Sequence, residues 1–273
     1  MIKSGDIIMN KSYDIIKKDL ENLGVKKGDV LVVHSSLKSM GQVDGGAMTV
    51  ISALLDTIGE EGTLIFPTFT YIPSYDELFY SNKDTPCCVG IIPETFRKLD
   101  GVIRTNHPTH SVALKGKLAS QLIKDELLND TPMGKYSVYQ RLPEVGAKIL
   151  MLGCPLGRNS FMHAMEEIVG VEYALKEHKE YTVIDENGKE YKRRIRRHNF
   201  GRPEGIIAQR YERAIDVLDK DTDYKVGLVH GAECVLYDSA ILKEKATKKF
   251  KEDPLYFVDD QNGIYKNGCK TNL

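Results

Sequence analysis

The sequence predicts an α/β fold. Three observations carry this: a continuous apolar strand, an amphipathic helix and a second apolar strand succeed one another over residues 30–68; a third apolar run of the same kind occupies 148–153; and helical and strand periodicities alternate through much of the remaining chain. With 273 residues, the chain can bury about 75% of the surface it exposes when unfolded, enough for one large core. No repeat, low-complexity segment or Pro/Ser-rich linker divides it, so residues 1–273 read as one domain with inserted loops.

Taken in order, Ile15, Ile16, Leu20 and Leu23 recur at helical spacing between Ser12, a candidate N-cap, and Gly24, a stop. VLVVH (30–34) is the kind of β-branched run that strands buried on both faces show. A helix from about Ala47 to Ile58 stops at Gly59, and TLIFPT (63–68) follows as a buried strand, which makes a βαβ unit with a parallel pair. The middle is loop-rich, at Tyr71–Asp84 and Pro132–Tyr139, with short strands around Val102–Arg104 and Ser111–Leu114. KILMLG (148–153) is a buried strand and Ser160–Val169 the helix after it. Residues 181–196 alternate on either side of Asn187-Gly188 and predict a hairpin. Pro203 in a first-turn position, with Ile206, Ile207, Tyr211, Ala214, Val217 and Leu218 at helical spacing, predicts a helix over RPEGIIAQRYERAIDVLDK. A strand near Lys225–Val229 and a helix from about Asp238 to Lys249 close the sequence reading.

Composition excludes several classes. Lys+Arg total 38 against Asp+Glu 39, a net charge of -1, so no basic surface for nucleic acid is expected. The longest apolar stretches fall far short of the ~20 residues a bilayer requires, and MIKSGDIIMNKSYD has no apolar leader core, so no membrane association and a cytoplasmic location are expected. The five cysteines, at 87, 88, 154, 234 and 269, are odd in number and poorly spaced for disulfides or a metal knuckle, so free thiols are expected.

Four segments could carry chemistry. VLVVHSSLKSMGQVDGGAMTV (30–50) is a strand, a polar Gly-rich loop and a helix start, where free N–H groups and the helix dipole favour a phosphate; it is neither a Walker loop nor G-x-G-x-x-G, and a plain βα turn competes. RTNHPTHS (104–111) holds two histidines around a proline that keeps His107 out of helical geometry, and reads as a polar site loop, a structural turn or half of a metal pair. In NSFMHAMEEIVG (159–170), His163 and Glu166 share a helix face, so the carboxylate can fix the imidazole tautomer as a general base requires; a surface pair without a role is the alternative. KRRIRRH (192–198) is a solvated strand face or an anion site. Cys154 beside Pro155 is a further, weaker candidate nucleophile.

Together these segments resemble the aminoglycoside 3-N-acetyltransferase family, the antibiotic acetyltransferases, which are distinct from the GNAT fold. The resemblance rests on VHSSLKSMGQVDGGAMTVISALLDTIGEEGTLIFPTFTY (33–71), RTNHPTHSVALKG (104–116), TPMGKYSVYQRL (131–142), LGCPLGRNSFMHAMEE (152–167) and, more loosely, GLVHGAECVLYDSAILKEKA (227–246), in family order over most of the chain. It implies an α/β/α sandwich around a mixed central β-sheet, acetyl-CoA as co-substrate without a metal, and acetylation of a small-molecule amine on a sugar-like ring, with antibiotic resistance or biosynthesis as the role. It also implies that His34, Ser35, Ser36, Leu37, Gly41, Gly45, Gly46 and Ala47 form the CoA-binding loop. His163 and Glu166 match the family's H-x-x-E, with His163 as base; His107, Pro108 and Ser111 match its H-P-x-x-S, with His107 at the reacting centre and Ser111 towards CoA. Direct attack of the amine on the thioester would need no enzyme nucleophile, with donors near Ser36 for the oxyanion. A homodimer is left open.

One departure bears on the acceptor. Many family members carry an Asp where this chain has Gly157, so an acid is absent or supplied from elsewhere. Aminoglycosides are polycations that want an acidic pocket, whereas KRRIRRH is basic, so an anionic, nucleotide-linked amino sugar is the rival acceptor. A metal-dependent hydrolase using His107, His110 and His163, and a CoA-binding protein without turnover, are the other readings.

Overall fold

A computed structural model describes residues 10–71, 77–199, 207–260, 265–266 and 269–270. The principal strands are β1 (Val30–Ser35), β2 (Thr63–Pro67), β3 (Phe79–Ser81), β4 (Ile103–Arg104), β5 (Val112–Gly116), β6 (Lys148–Leu152), β7 (Lys179–Ile184), β8 (Glu190–Ile195), β9 (Ile207–Gln209), β10 (Tyr224–Val229), β11 (Ala232–Asp238) and β12 (Val258–Asp260). The helices are α1 (Lys11–Leu23), α2 (Gly46–Ile58), α3 (Ile91–Phe96), α4 (Ala119–Leu122), α5 (Val138–Arg141), α6 (Met162–Val169) and α7 (Ser239–Glu252).

Seven strands form a mixed sheet in the order β10-β11-β6-β1-β2-β5-β4. Its middle is parallel, with Val32 beside Ile65 on β2 and Ile149 on β6, while β5 and β11 run antiparallel to their inner neighbours. Alternation along β1 divides the core, because successive side chains of a strand face opposite sides. Leu31 and Val33 pack with Ile16 and Leu20 of α1 and Val50 and Leu54 of α2. Val30 and Val32 pack instead with Met162 and Met165 of α6 and Leu242 and Phe250 of α7. Helices cover both faces, which is the expected α/β/α sandwich. Each such buried aliphatic side chain contributes roughly 1.5–3 kcal/mol of transfer free energy. A separate sheet, β3-β7-β8, packs Tyr80, Tyr181, Val183 and Ile195.

Several elements differ from the sequence reading. The N-cap of α1 is Asn10, whose side chain accepts from Tyr13 N–H, not Ser12. Ser12 sits inside the helix and is used across the fold, accepting from Asp44 N–H and bonding His230. The helix expected across 202–220 is absent from its described part; Pro203 and Ile206 lie outside the described residues. Residues 207–209 pair with β12 and Tyr211–Val217 form a 3-10 segment, because the backbone there bonds to a distant strand and Arg210 N–H donates to Phe257. Tyr211 and Ala214 are nonetheless buried, so their spacing is a burial signal without being a helix signal. β11 is not anticipated from the sequence; it turns back from β10 through His230 and Gly231, both at positive φ, the conformation a two-residue hairpin needs. β3 lies in a stretch whose composition predicts loop. The hairpin around 181–196 pairs Ile184 with Glu190, and its connection is wider than the two residues expected from sequence, with Asp185 Oδ1 accepting from Asn187 and Lys189 N–H.

Candidate active site

The predicted site residues gather near the carboxyl ends of the parallel strands, where open α/β sheets leave a crevice. β1 ends at His34 and Ser35. β6 leads through Gly153, at positive φ, into the segment that starts α6. Beyond β2, Thr68 and Thr70 N–H donate to Ser111 and Thr109 carbonyls, which docks the 104–111 segment there.

α6 begins where Phe161 N–H donates to Asn159 Oδ1 and ends at Gly170 in the left-handed conformation. The short helix places His163 and Glu166 on one buried face, with Nδ1 2.9 Å from Glu166 Oε2. An ionised carboxylate can only accept, so Nδ1 carries the proton and Nε2 presents its lone pair. That lone pair faces the Gln209 carboxamide nitrogen at 3.1 Å. The Tyr211 hydroxyl lies 2.8 Å from Nδ1 and donates to Glu166. Burial raises the Glu166 carboxyl, and the His163 pairing acts against that rise. One buried proton is therefore shared within a fixed acid–base pair whose basic nitrogen points away from the carboxylate.

The other histidines are placed differently. His107 Nδ1 accepts from the backbone N–H of His110 at 3.0 Å and of Thr109 at 3.3 Å, so that nitrogen is committed to the turn. Its ring is 5.9 Å from that of His110, which in turn is 6.3 Å from His163. Burial holds both His107 and His110 well below the usual imidazole range. Ser111 is fully buried, donating to Thr68 O at 2.7 Å and accepting from Arg104 Nε at 3.2 Å, so it braces the turn beneath the site and presents no group to a ligand. Among the described residues no cluster of three or more His, Cys, Asp or Glu is arranged to hold a metal ion. Cys154 has its thiol pushed up by burial to about 11, which leaves little thiolate near neutrality. Cys87, Cys88, Cys154 and Cys234 are not joined in disulfides.

The 34–47 loop splits into a buried and an open part. His34 is buried with Nε2 unpartnered, as is Ser35 Oγ. Ser36 caps a 3-10 turn, Leu37–Met40, accepting from Ser39 N–H. α2 starts at Gly45 and Gly46, both at positive φ, without a side-chain cap, and a Cβ at Gly41 or Gly46 would meet open space. A start without a side-chain cap and with room before it suits a diphosphate, whose oxygens would accept from first-turn N–H groups beyond Gly46, whose own N–H donates to Val43 O.

His34 gives a stability test. Burial lowers it from 6.5 to about 3, so between those values the unfolded chain binds the extra proton and stability falls as pH drops below 6.5. In His34→Gln, the stability lost between pH 7 and pH 5 should shrink by about 2 kcal/mol, since each pH unit is worth about 1.4 kcal/mol. Urea unfolding at both pH values reads this, and equal pH slopes in parent and variant would refute it.

Two cations of the basic segment are committed to backbone carbonyls. Arg193 is buried and donates to the carbonyls of Asn106 and Asn129, at 3.1 and 2.5 Å, and Arg196 donates to those of Lys176 and Leu175. Its last residue, His198, reaches the site instead, stacking on His163. Sequence reasoning misses His198, Tyr211 and Gln209, because each comes from more than 30 residues away; only the burial periodicity at Tyr211 hints at a role. At Gly157, a Cβ would meet Glu212 Oε2 at 2.8 Å, so the missing side chain leaves room for an exposed carboxylate from another segment.

Among the described residues no helix is long and apolar enough to cross a membrane. A family described as aminoglycoside 3-N-acetyltransferase matches residues 32–251. Aminoglycoside N(3)-acetyltransferase IX of Micromonospora chalcea is 32% identical over 174 residues, covering 57% of this chain and 62% of that enzyme, less than two thirds of its length. Aminoglycoside N(3)-acetyltransferase IV of Salmonella sp is 30% identical over 255 residues, 92% of each chain. The crystal structure of YokD protein from Bacillus subtilis aligns with a TM-score of 0.75 at 27% identity, covering 91% of this chain and 96% of that one. A histidine-to-alanine mutant of aminoglycoside acetyltransferase AAC(3)-IVa, in complex with a gentamicin, aligns with a TM-score of 0.78 at 26% identity, covering 95% and 96%.

Proposed function

Because the chain belongs to the aminoglycoside 3-N-acetyltransferase family, we propose that it is an acetyl-CoA-dependent N-acetyltransferase acting on the 3-amino group of an aminoglycoside or a related amino sugar. The observation that carries the chemistry is the His163 imidazole, fixed at Nδ1 by Glu166 and aimed through Nε2 at an amide nitrogen. Acetyl-CoA supplies the activated acetyl group as a thioester.

The acceptor amine takes the place of the Gln209 carboxamide, 3.1 Å from Nε2. An ammonium has no lone pair, so it must give a proton to Nε2 before or during attack, and general-base help of this kind contributes about 10²–10⁴-fold. Glu166 stabilises the resulting imidazolium through Nδ1–H, and Tyr211 holds the carboxylate in line. The first ammonium proton passes from Nε2 to solvent; as the C–N bond forms and C–S breaks, the second proton on that nitrogen passes to Nε2 and then to the departing thiolate, leaving a neutral amide and the CoA thiol. Ser36 and the uncapped N–H groups of α2 are the donors for the CoA diphosphate and the carbonyl oxygen.

A cationic acceptor is favoured because Arg193 and Arg196 of the basic segment are bonded to backbone carbonyls, while Glu212 fills the space beside Gly157. Thiol release from acetyl-CoA should follow an aminoglycoside panel and not a panel of nucleotide-linked amino sugars. In Glu212→Gln the KM for the aminoglycoside should rise about three- to fivefold with kcat kept, the scale of one exposed charge interaction. Turnover confined to anionic amino sugars would move the substrate class, and no thiol release with any amine would remove the reading.

A further inference from the structure

His198 is not part of the H-x-x-E pair, yet its ring stacks on that of His163 with centroids 4.0 Å apart and 26° between the planes. His110 meets His198 edge-on at 4.7 Å. His198 Nε2 lies 3.0 Å from Glu167 Oε1, and the two side chains are 3% and 5% exposed. Glu167 is itself fixed at both oxygens: Thr131 Oγ1 donates to Oε2 at 2.6 Å, and Met133 N–H donates to Oε1 at 2.9 Å. Two adjacent residues of α6, Glu166 and Glu167, thus each hold a histidine, and the two histidines lie face to face.

We propose that His198 and Glu167 form a second imidazole–carboxylate pair that acts through the stacked rings to set where His163 takes up its proton. The inference rests on His163 being the base. His198 points Nε2–H at Glu167 but is buried among three other imidazoles, which holds it neutral, and it offers its π face to the imidazolium that forms on His163, an arrangement that attracts a cation. Were His198 to charge as well, two cations would lie 4.0 Å apart and His163 would lose basicity. When ionised, above the value of about 7 to which burial pushes it, Glu167 places one negative charge behind the stack, which favours the cation that forms on His163. The other groups facing the rings are Glu166 on α6, Tyr211 on the 3-10 segment, and His110 and His107 on the 104–111 turn, with Asp130 beyond Glu167. Burial supports the assignment, holding His198 well below its usual range and pushing Glu167 up to about 7.

The test combines titration with kinetics. In the parent protein, imidazole nitrogen shifts followed by NMR from pH 5 to 9 should show His163 taking up a proton while His198 stays neutral. His198 becoming cationic before His163 would overturn the proposal, and this reading holds whether or not any acceptor is turned over. In Glu167→Gln, which keeps the shape and removes the charge, the acidic limb of kcat/KM should move to lower pH by about 0.5–1 unit, as loss of a nearby opposite charge requires. His198→Leu removes the π face and the link to Glu167 together, and should move the limb in the same direction. Lower activity with the limb unmoved in both variants would mean a purely structural role and would also overturn the proposal.

Discussion

His163→Ala should lower kcat by about 10²–10⁴-fold while leaving CoA affinity unchanged. The side chain is buried on α6, its Nδ1 is committed to Glu166, and its Nε2 is aimed at the Gln209 amide nitrogen, so removing it takes away the proton acceptor while the 36–40 turn keeps its own cap from Ser36. Steady-state thiol release and equilibrium CoA binding separate the two effects. Glu166→Gln should fall in the same range with the ring retained, because an amide can turn its NH₂ towards Nδ1 and reverse the tautomer. A loss of less than tenfold in His163→Ala would mean that the amine loses its proton to solvent or to another group, and the base assignment would fall.

Gly116→Ala should destabilise the protein by about 4 kcal/mol, a large share of the stability of any domain. Gly116 closes β5 against β2 at φ 134°, and a Cβ there would lie 2.2 Å from Gly62 O and 2.6 Å from Thr63 Cα. Both contacts are backbone at the start of β2, so relief requires the two strands to separate. Gly188→Ala is the control: it also has positive φ, but a Cβ meets nothing within 4 Å, so only the left-handed strain of roughly 1–2 kcal/mol remains. Urea unfolding of both variants decides the matter, and equal losses would show that conformation, not the strand contact, sets the cost.

The parallel centre of the sheet is legible in the sequence because β1, β2 and β6 are buried on both faces, and such strands must be apolar without interruption. The His163–Glu166 pair is legible because three residues of helix set its geometry without help from the rest of the chain. The segment at 207–217 misleads for the opposite reason. Its apolar residues mark burial, and pairing with β12 decides the backbone against its local preference. In KRRIRRH the charge run does not show which cations are committed: Arg193 and Arg196 spend donors on backbone carbonyls of other segments, which only the packing reveals.

By itself, then, the sequence determined what short-range periodicity and local hydrogen bonding determine: the three-strand parallel core, the helices that flank it, the open start of α2 and the imidazole–carboxylate pair. Tertiary structure alone decided what surrounds that pair. His198, Tyr211 and Gln209 reach it from distant segments and Glu167 sits beside it on α6, and they meet only because burial in one core brings distant chain together. A proton's position depends on every charge and dipole within a few ångströms, and those neighbours are set by the packing of the whole sheet, not by the order of residues along α6.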